Sequence, residues 1–155
     1  MSTITELKDT INTKTLNFIL LTIATAGIYP IIWIFLNTQK LEKVTSKKIA
    51  DNTFLTWIAI CIGLGGTLSN LGDEMFDVIA GLVSIASWVL YIVWSFRAKS
   101  ALQEYALTEH KIDLRMNTFY AFFLTVYYIN YCINDLPEAQ RKQQILTGQE
   151  PATDS

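Results

Sequence analysis

The sequence predicts an all-α, polytopic membrane protein in which a central transmembrane helical hairpin is flanked by two broken apolar elements, re-entrant or interfacial. Hydrophobic residues make up 51% of the 155 positions and charged residues 17%, against the roughly 25% charged that soluble domains contain. Four stretches carry no charge at all: residues 15–39, 52–72, 78–96 and 116–134. An apolar stretch of about 18 residues is long enough to cross a bilayer. We therefore expect a single helical membrane domain over residues 1–147, with the lipid bilayer as its surroundings, and a disordered tail over 148–155.

The hairpin is predicted from the distribution of basic residues. All 12 Lys and Arg residues lie outside residues 49–96, and the connector inside that stretch is acidic, with Asp73, Glu74 and Asp77. Cytoplasmic segments beside membrane spans are rich in Lys and Arg, whereas exported segments are not. Residues 54–71 and 78–96 are thus expected to cross the membrane, with the acidic turn 73–77 on the side opposite to the basic segments.

The first apolar run, residues 16–36, is predicted to be interrupted. Gly27 favours the end of a helix, and Pro30 steers the residue before it away from helical geometry. The half before the break would rise only about 16 Å, roughly half of a hydrocarbon core of ~30 Å. Neither half can cross alone, and Pro30 is expected to start a helix that continues into the polar connector.

The third run is expected to continue as a helix past Phe96, because residues 97–107 are rich in good helix formers. In the last run, residues 116–134, seven of the thirteen positions from 119 to 131 are aromatic. Tyrosine-rich elements favour the headgroup region, which indicates interfacial or re-entrant placement. Pro137 is expected to close this run.

Two topologies satisfy the charge pattern. If all four runs are full transmembrane helices, eight of the 12 basic residues lie on one side and four share the other side with the acidic turn. If the outer two runs re-enter or lie at the interface, the division is 12 to zero. The second topology agrees with the orientation rule without exception and also accounts for the break at Gly27.

Two sets of residues are candidates for function. Small residues let membrane helices approach closely, and the candidates for helix packing are Gly63, Gly66, Gly81 and Ser84. Residues that form a polar path or break the apolar elements are Asn17, Thr25, Gly27, Pro30, Asn117, Asn130 and Asn134. The spacing from Asn17 to Thr25 recurs from Asn117 to Thr125, which suggests two related elements flanking the hairpin, although Asn and Thr also serve as ordinary helix caps.

No residue set indicates catalysis. The apolar runs contain no carboxylate, Lys, Arg or His, Cys61 and Cys132 belong to no metal-binding motif, and His110 is the sole histidine. We expect no catalytic residue, cofactor, metal or nucleic-acid partner. The leading hypothesis is a non-enzymatic scaffold or partner subunit of a membrane assembly, either self-associating or bound to another membrane protein. The alternatives are a channel or uncoupled carrier for a small solute and, more weakly, a membrane-remodelling protein.

Residues 22–33 read TIATAGIYPIIW and resemble a T-x-G-I-Y-x-x-x-W pattern. That pattern marks a family of small bacterial membrane proteins known only as a domain of unknown function. The closing segment, residues 123–134, is similar to the end of the same family, and the likeness extends over about residues 16–136. Ala26 stands where the commoner form has Leu. The resemblance implies a bacterial inner-membrane setting, no known activity and no catalytic or binding residue. The charge pattern predicts that most of the basic segments are cytoplasmic.

Overall fold

Residues 4–148 are described by a computed structural model, and every regular element among them is an α-helix. In chain order the helices are α1 Ile4–Ile11, α2 Thr15–Ala24, α3 Tyr29–Thr45, α4 Asn52–Leu68, α5 Glu74–His110, α6 Thr118–Phe123 and α7 Thr125–Thr147. The prediction of an all-α fold is confirmed for this part of the chain. Most of the predicted disordered tail lies outside the described residues, and Gly148 ends α7 with a φ of 69°.

Helices α4 and α5 form the predicted hairpin and pack against each other. Each begins at an aspartate: the carboxylate of Asp51 accepts from the Phe54 amide at 3.2 Å, and that of Asp73 accepts from the Met75 amide at 2.9 Å. The second hairpin helix therefore begins before residue 78, and Glu74 lies in its first turn rather than in a loop. Carboxylates near a helix N-terminus stabilise it through the helix dipole, which explains the earlier start.

α5 continues well beyond residue 96, as predicted, and reaches 37 residues. At 1.5 Å per residue this corresponds to about 55 Å, longer than a hydrocarbon core of ~30 Å. Its first half is largely exposed, whereas Trp94, Ala98, Leu102 and Tyr105 in its second half are buried in the core. α5 thus has an apolar first half that packs on α4 and is otherwise largely exposed, and a second half that is part of the core.

α5 is the one helix of the described residues that is long and apolar enough to cross a membrane, and α4 is a shorter apolar helix of 17 residues. The alternative of four full transmembrane helices is therefore not what the structure contains. The physical reason is that the first and last apolar runs are each divided in two, so that their apolar parts, α2 and α6, have 10 and 6 residues.

The break at Gly27 is confirmed. α2 ends at Ala24, α3 begins at Tyr29 with Pro30 in its first turn, and α3 continues to Thr45 through the polar connector. The chain folds back on itself at the break, because the rings of Phe18 and Tyr29 are only 5.4 Å apart between centroids. The first apolar run is thus a short helix–turn–helix.

The last run also folds back, between α6 and α7. The amide of Asn117 donates to the hydroxyl of Tyr128 at 2.8 Å, and Thr125 at the turn has a φ of 38°. The prediction that Pro137 closes the run is wrong, because α7 continues through it to Thr147. Proline removes one backbone hydrogen bond from a helix, and burial of neighbouring side chains such as Ile133 and Leu136 offsets that loss.

The N-terminal helix and the end of α7 lie at the same end of the molecule as the end of α5. Leu7 of α1 is fully buried in the core together with Leu102 of α5. The side chain of Gln143 on α7 accepts from the amide of Asp113 at 3.1 Å and donates to the carbonyl of Lys111 at 3.1 Å, directly after α5. The α4–α5 turn is at the opposite end of α5.

Candidate functional site

The turn between α2 and α3 is built around the hydroxyl of Thr25. This hydroxyl donates to the carbonyl of Leu21 at 2.8 Å and accepts from the amide of Tyr29 at 2.9 Å. Ala26 and Gly27 follow with φ values of 50° and 88°, a left-handed backbone in which glycine is favoured. The three motif residues thus have different structural roles. The hydroxyl of Thr25 joins two helices, Gly27 reverses the chain direction, and Tyr29 begins α3.

An aromatic cluster holds this turn against the rest of the molecule. The ring of Phe18 packs edge-to-face on Tyr29, Trp33 and Tyr127, at centroid distances of 5.4, 5.5 and 5.0 Å. Trp33 in turn packs on Trp94 of α5 at 6.2 Å. Edge-to-face pairs at these distances are favourable beyond their burial. The cluster therefore couples α2, α3, α5 and α7 around the motif residues.

Trp94 is 0% exposed, although its position near the basic end of α5 is typical of a tryptophan at a membrane interface. Its indole N–H donates to the hydroxyl of Thr38 on α3 at 3.1 Å. A signal was available in the sequence: Tyr29 and Trp33 are one helical turn apart and so share a face of α3 that needs an apolar partner.

The second fold-back, between α6 and α7, is held by different side-chain hydrogen bonds from the first. Asn117 caps α6, because its side-chain oxygen accepts from the amide of Phe119 at 2.8 Å. Asn17, its counterpart by spacing, lies inside α2 with an exposed side chain. Thr125 itself has the positive φ, whereas Thr25 precedes the residues that have it. The two elements share a shape, and their Asn and Thr residues are not equivalent.

Asn130 and Asn134 lie one turn apart on α7 in contrasting environments. The side-chain nitrogen of Asn134 donates to the carbonyl oxygens of Thr13 at 2.9 Å and Asn130 at 2.8 Å, and lies 3.4 Å from the hydroxyl of Thr15. Asn134 therefore ties the linker between α1 and α2 to α7. The side-chain amide of Asn130 is fully buried, and neither its oxygen nor its nitrogen has a hydrogen-bond partner among the described residues.

The predicted polar-path residues fall in four separate places. Thr25, Gly27 and Pro30 meet at the first turn, Asn117 caps α6, and Asn130 and Asn134 lie on α7. Asn17 is exposed on α2. Their positions account for helix ends and tertiary contacts.

The close contact inside the hairpin is at Gly65, which belongs to the small residues of α4 but is not one of the four packing candidates. A Cβ at Gly65 would lie 3.2 Å from the hydroxyl oxygen of Ser84, whereas a Cβ at Gly63, Gly66 or Gly81 would meet nothing within 4 Å. Ser84 is thus at the predicted contact, and the three other glycines face outward. The reason is rotational: Gly63 and Gly66 lie on a different side of α4 from Gly65.

Charged side chains surround the base of the hairpin. The guanidinium of Arg97 lies 5.3 Å from the ring centre of Phe54 and donates to the carbonyl of Ile49 at 3.3 Å. Lys47 pairs with Glu104 of α5 at 2.6 Å. These contacts fasten the segment before α4 to the second half of α5, and they set the limit of the uncharged part of the hairpin.

Among the described residues there is no group of three or more His, Cys, Asp or Glu side chains that could hold a metal ion. Cys61 and Cys132 are both free thiols, partly buried on α4 and buried on α7.

A sequence profile for a domain of unknown function, DUF4234, matches residues 13–104, which is more than half of the chain. The chain belongs to this family. The matched part includes the Thr25 turn and the α4–α5 hairpin, and it ends before α6. No curated protein and no solved structure matches the chain.

Proposed function

We propose that this member of the DUF4234 family is a non-enzymatic integral protein of the bacterial inner membrane that acts as a scaffold or partner subunit through its α4–α5 hairpin. The observation that carries the proposal is the outward direction of Gly63, Gly66 and Gly81, whose Cβ positions meet nothing within 4 Å. These glycines lie on apolar helices, where small residues let a second membrane helix approach.

Insertion in a membrane is supported by the exposed side chains of the hairpin. Val78, Leu82 and Ile85 of α5 are 66%, 64% and 61% exposed, and Trp57 and Leu64 of α4 are 56% and 49% exposed. Soluble monomers rarely expose a contiguous apolar surface of this kind. The uncharged part of α5, residues 78–96, is about 28 Å long, close to the ~30 Å of a hydrocarbon core.

The proposed topology places every basic residue on the cytoplasmic side. α1 and the end of α7 pack at the end of α5 that carries Arg97 and Lys99, and the acidic α4–α5 turn is at the other end. α2 has 10 residues, about 15 Å, so it reaches only halfway into the membrane before the chain returns through α3. The hairpin then crosses twice, while α2 and α6 enter from the cytoplasmic side and return.

The proposed partner surface is one face of α4. Gly63, Gly66 and Thr67 are exposed and lie within one helical turn of each other. The hydroxyl of Thr67 donates to the carbonyl of Gly63 at 2.7 Å. Because this hydroxyl has its acceptor within α4, it needs no hydrogen bond from a partner helix. A second copy of this chain or a helix of another membrane protein fits such a face.

Cysteine labelling in spheroplasts tests the topology. In a Cys61→Ser/Cys132→Ser background, Leu71→Cys is expected to react with a membrane-impermeant maleimide from outside. Asp9→Cys and Glu109→Cys are expected to react only after the membrane is opened. Reaction of Asp9→Cys from outside would contradict the re-entrant topology, and extraction of the protein by alkaline carbonate would contradict insertion.

Association is tested by cross-linking in native membranes and by energy transfer between two labelled copies. Gly63→Leu and Gly66→Leu are expected to abolish the cross-linked species, while Ala86→Leu, at an exposed small residue of α5, retains it. Cross-linking that is unaffected by both glycine substitutions would exclude this face. Solute flux through liposomes that contain this protein alone would instead favour the channel hypothesis.

A further inference from the structure

We propose that one face of α7 binds an anionic phospholipid, with an acyl chain in an aromatic groove and the phosphate in an adjoining basic pocket. This inference rests on the proposed membrane location. It concerns a stoichiometric lipid site, which membrane insertion alone does not require.

The aromatic groove lies between α2 and the α6–α7 element and has a volume of about 680 Å³. Its walls are Thr15 and Ile19 of α2, Tyr120 and Leu124, and Tyr127, Tyr128 and Tyr131 of α7. Ligand pockets of small molecules are commonly about 300–1,000 Å³ and mostly apolar. Because Ile19 lies one turn into α2 from Thr15, the groove leads from the cytoplasmic side into the proposed hydrocarbon region.

The basic pocket, of about 510 Å³, lies further along α7 and is lined by Lys8 of α1 and by Asn134, Glu138, Arg141 and Lys142. Glu138 pairs with Lys142 at 2.8 Å, which lowers the pKa of the Glu138 carboxyl and raises that of the Lys142 amine. Lys8 and Arg141 form no salt bridge within the described residues. Two cations thus remain for an anionic group, and a guanidinium fits a phosphate with two parallel hydrogen bonds.

The groove and the pocket lie next to each other along α7. Tyr127, Tyr131, Asn134, Glu138 and Arg141 follow one another at spacings of three or four residues and so form a single stripe on α7. The side chain of Asn134, in the pocket, lies 3.4 Å from the hydroxyl of Thr15, in the groove. The stripe therefore changes from apolar and aromatic to basic at the Thr15–Asn134 contact.

The change from an aromatic groove to a basic pocket along α7 indicates which kind of ligand the site binds. A partner helix would need apolar contacts along its whole length, and a free phosphate would need no groove. A phospholipid has an apolar chain joined to an anionic phosphate, and tyrosines are favoured at the depth where those two parts meet. The charge of Lys8 and Arg141 favours an anionic over a zwitterionic headgroup.

The test is native mass spectrometry of the detergent-solubilised full chain, titrated with phosphatidylglycerol or with phosphatidylcholine of the same acyl chains. Wild type is expected to retain one phosphatidylglycerol in preference to phosphatidylcholine. Lys8→Gln/Arg141→Gln is expected to weaken phosphatidylglycerol binding about thirtyfold, as two basic residues at an anionic surface would. The control Lys40→Gln/Lys48→Gln removes the same charge from the same side at exposed positions outside the stripe and should change binding less than about twofold.

A further variant, Ile19→Trp, fills the groove and keeps every charge, so it should release both lipids. Equal binding of the two lipids by wild type, an equal effect of the two double variants, or full binding by Ile19→Trp would each overturn the lipid site. The site can fail while the protein remains inserted in membranes. Carbonate extraction separates that result from failure of the proposed membrane location.

Discussion

The hydroxyl oxygen of Thr25 lies 2.9 Å from the amide nitrogen of Tyr29, and through this hydrogen bond the end of one helix is joined to the start of the next. The same hydroxyl donates to the carbonyl of Leu21 at 2.8 Å. One side chain thus caps the start of α3 at an amide that the helix leaves without a partner, and it adds a second hydrogen bond to the Leu21 carbonyl, which already accepts from the Thr25 amide at 2.9 Å.

Substitution of Thr25 is expected to loosen the turn. Thr25→Val keeps the shape of the side chain but removes both hydrogen bonds, and loss of a capping bond costs about 1–2 kcal/mol. Thr25→Ser keeps the hydroxyl and should retain most of the stability. The measurement is the midpoint of thermal unfolding in mild detergent, and equal midpoints for the two variants would show that the hydroxyl contributes nothing.

Substitution of Gly27 is expected to be destabilising through backbone conformation alone. Its φ of 88° is unfavourable for a residue with a Cβ, although that Cβ would meet nothing within 4 Å. Gly27→Ala should therefore cost about 1–2 kcal/mol. Gly63→Ala is the matched control, because the space around it is equally open but it lies inside α4, where alanine is favoured by up to about 1 kcal/mol. The expected result is opposite shifts in the thermal midpoint.

The parts of this fold that the sequence predicts are those with a local cause. The break at Gly27 follows from a glycine and a proline within one turn, and the continuation of α5 follows from helix-forming residues after Phe96. Pro137 shows the limit of such reasoning. Its local preference is to end a helix, but α7 continues because side chains on both sides of it are buried by other helices.

The site residues show the same limit. Small residues on α4 indicate a packing face, but which glycine meets α5 depends on the rotation of one helix about another, and the structure selects Gly65. The burial of Trp94 depends on the packing of α3 across α5. Trp94 lies 56 positions after Thr38, the residue whose hydroxyl accepts its hydrogen bond. Contacts over such separations are set by tertiary packing, which residue types and local spacing do not specify.

Asn134 is expected to hold the N-terminal helix in place. Its side chain donates to the carbonyls of Thr13 and Asn130, and Asn134→Leu would remove both bonds and leave the Thr13 carbonyl without this donor. A lost hydrogen bond that leaves a buried partner costs about 1–3 kcal/mol. Hydrogen exchange should consequently rise in α1, Ile4–Ile11, more than in α4. A uniform rise across all helices would instead indicate that Asn134 affects global stability alone.

The stability of the protein is expected to decrease as the pH falls below neutral, because of His110. Its Nε2 is buried without a hydrogen-bond partner among the described residues, and its ring packs on Tyr105 at 5.0 Å. Burial lowers the pKa of His110 from the usual 6.5, and the opposing effect of the Glu109 and Glu6 carboxylates is smaller. Between the lowered value and 6.5 the unfolded chain binds more protons than the folded one, so the free energy of unfolding rises with pH in that window.

The contribution of neutral His110 to the free energy of unfolding is therefore complete above pH 6.5. It is lost as the pH falls through the pKa that His110 has in the folded protein. Thermal midpoints measured in detergent between pH 7 and 5 should decline for the wild type. His110→Gln cannot take up a proton and should flatten the curve in the upper part of this range, where carboxyl groups do not yet titrate. Because His110 is the sole histidine, an identical decline in wild type and His110→Gln would assign the pH dependence to other groups and contradict the burial argument.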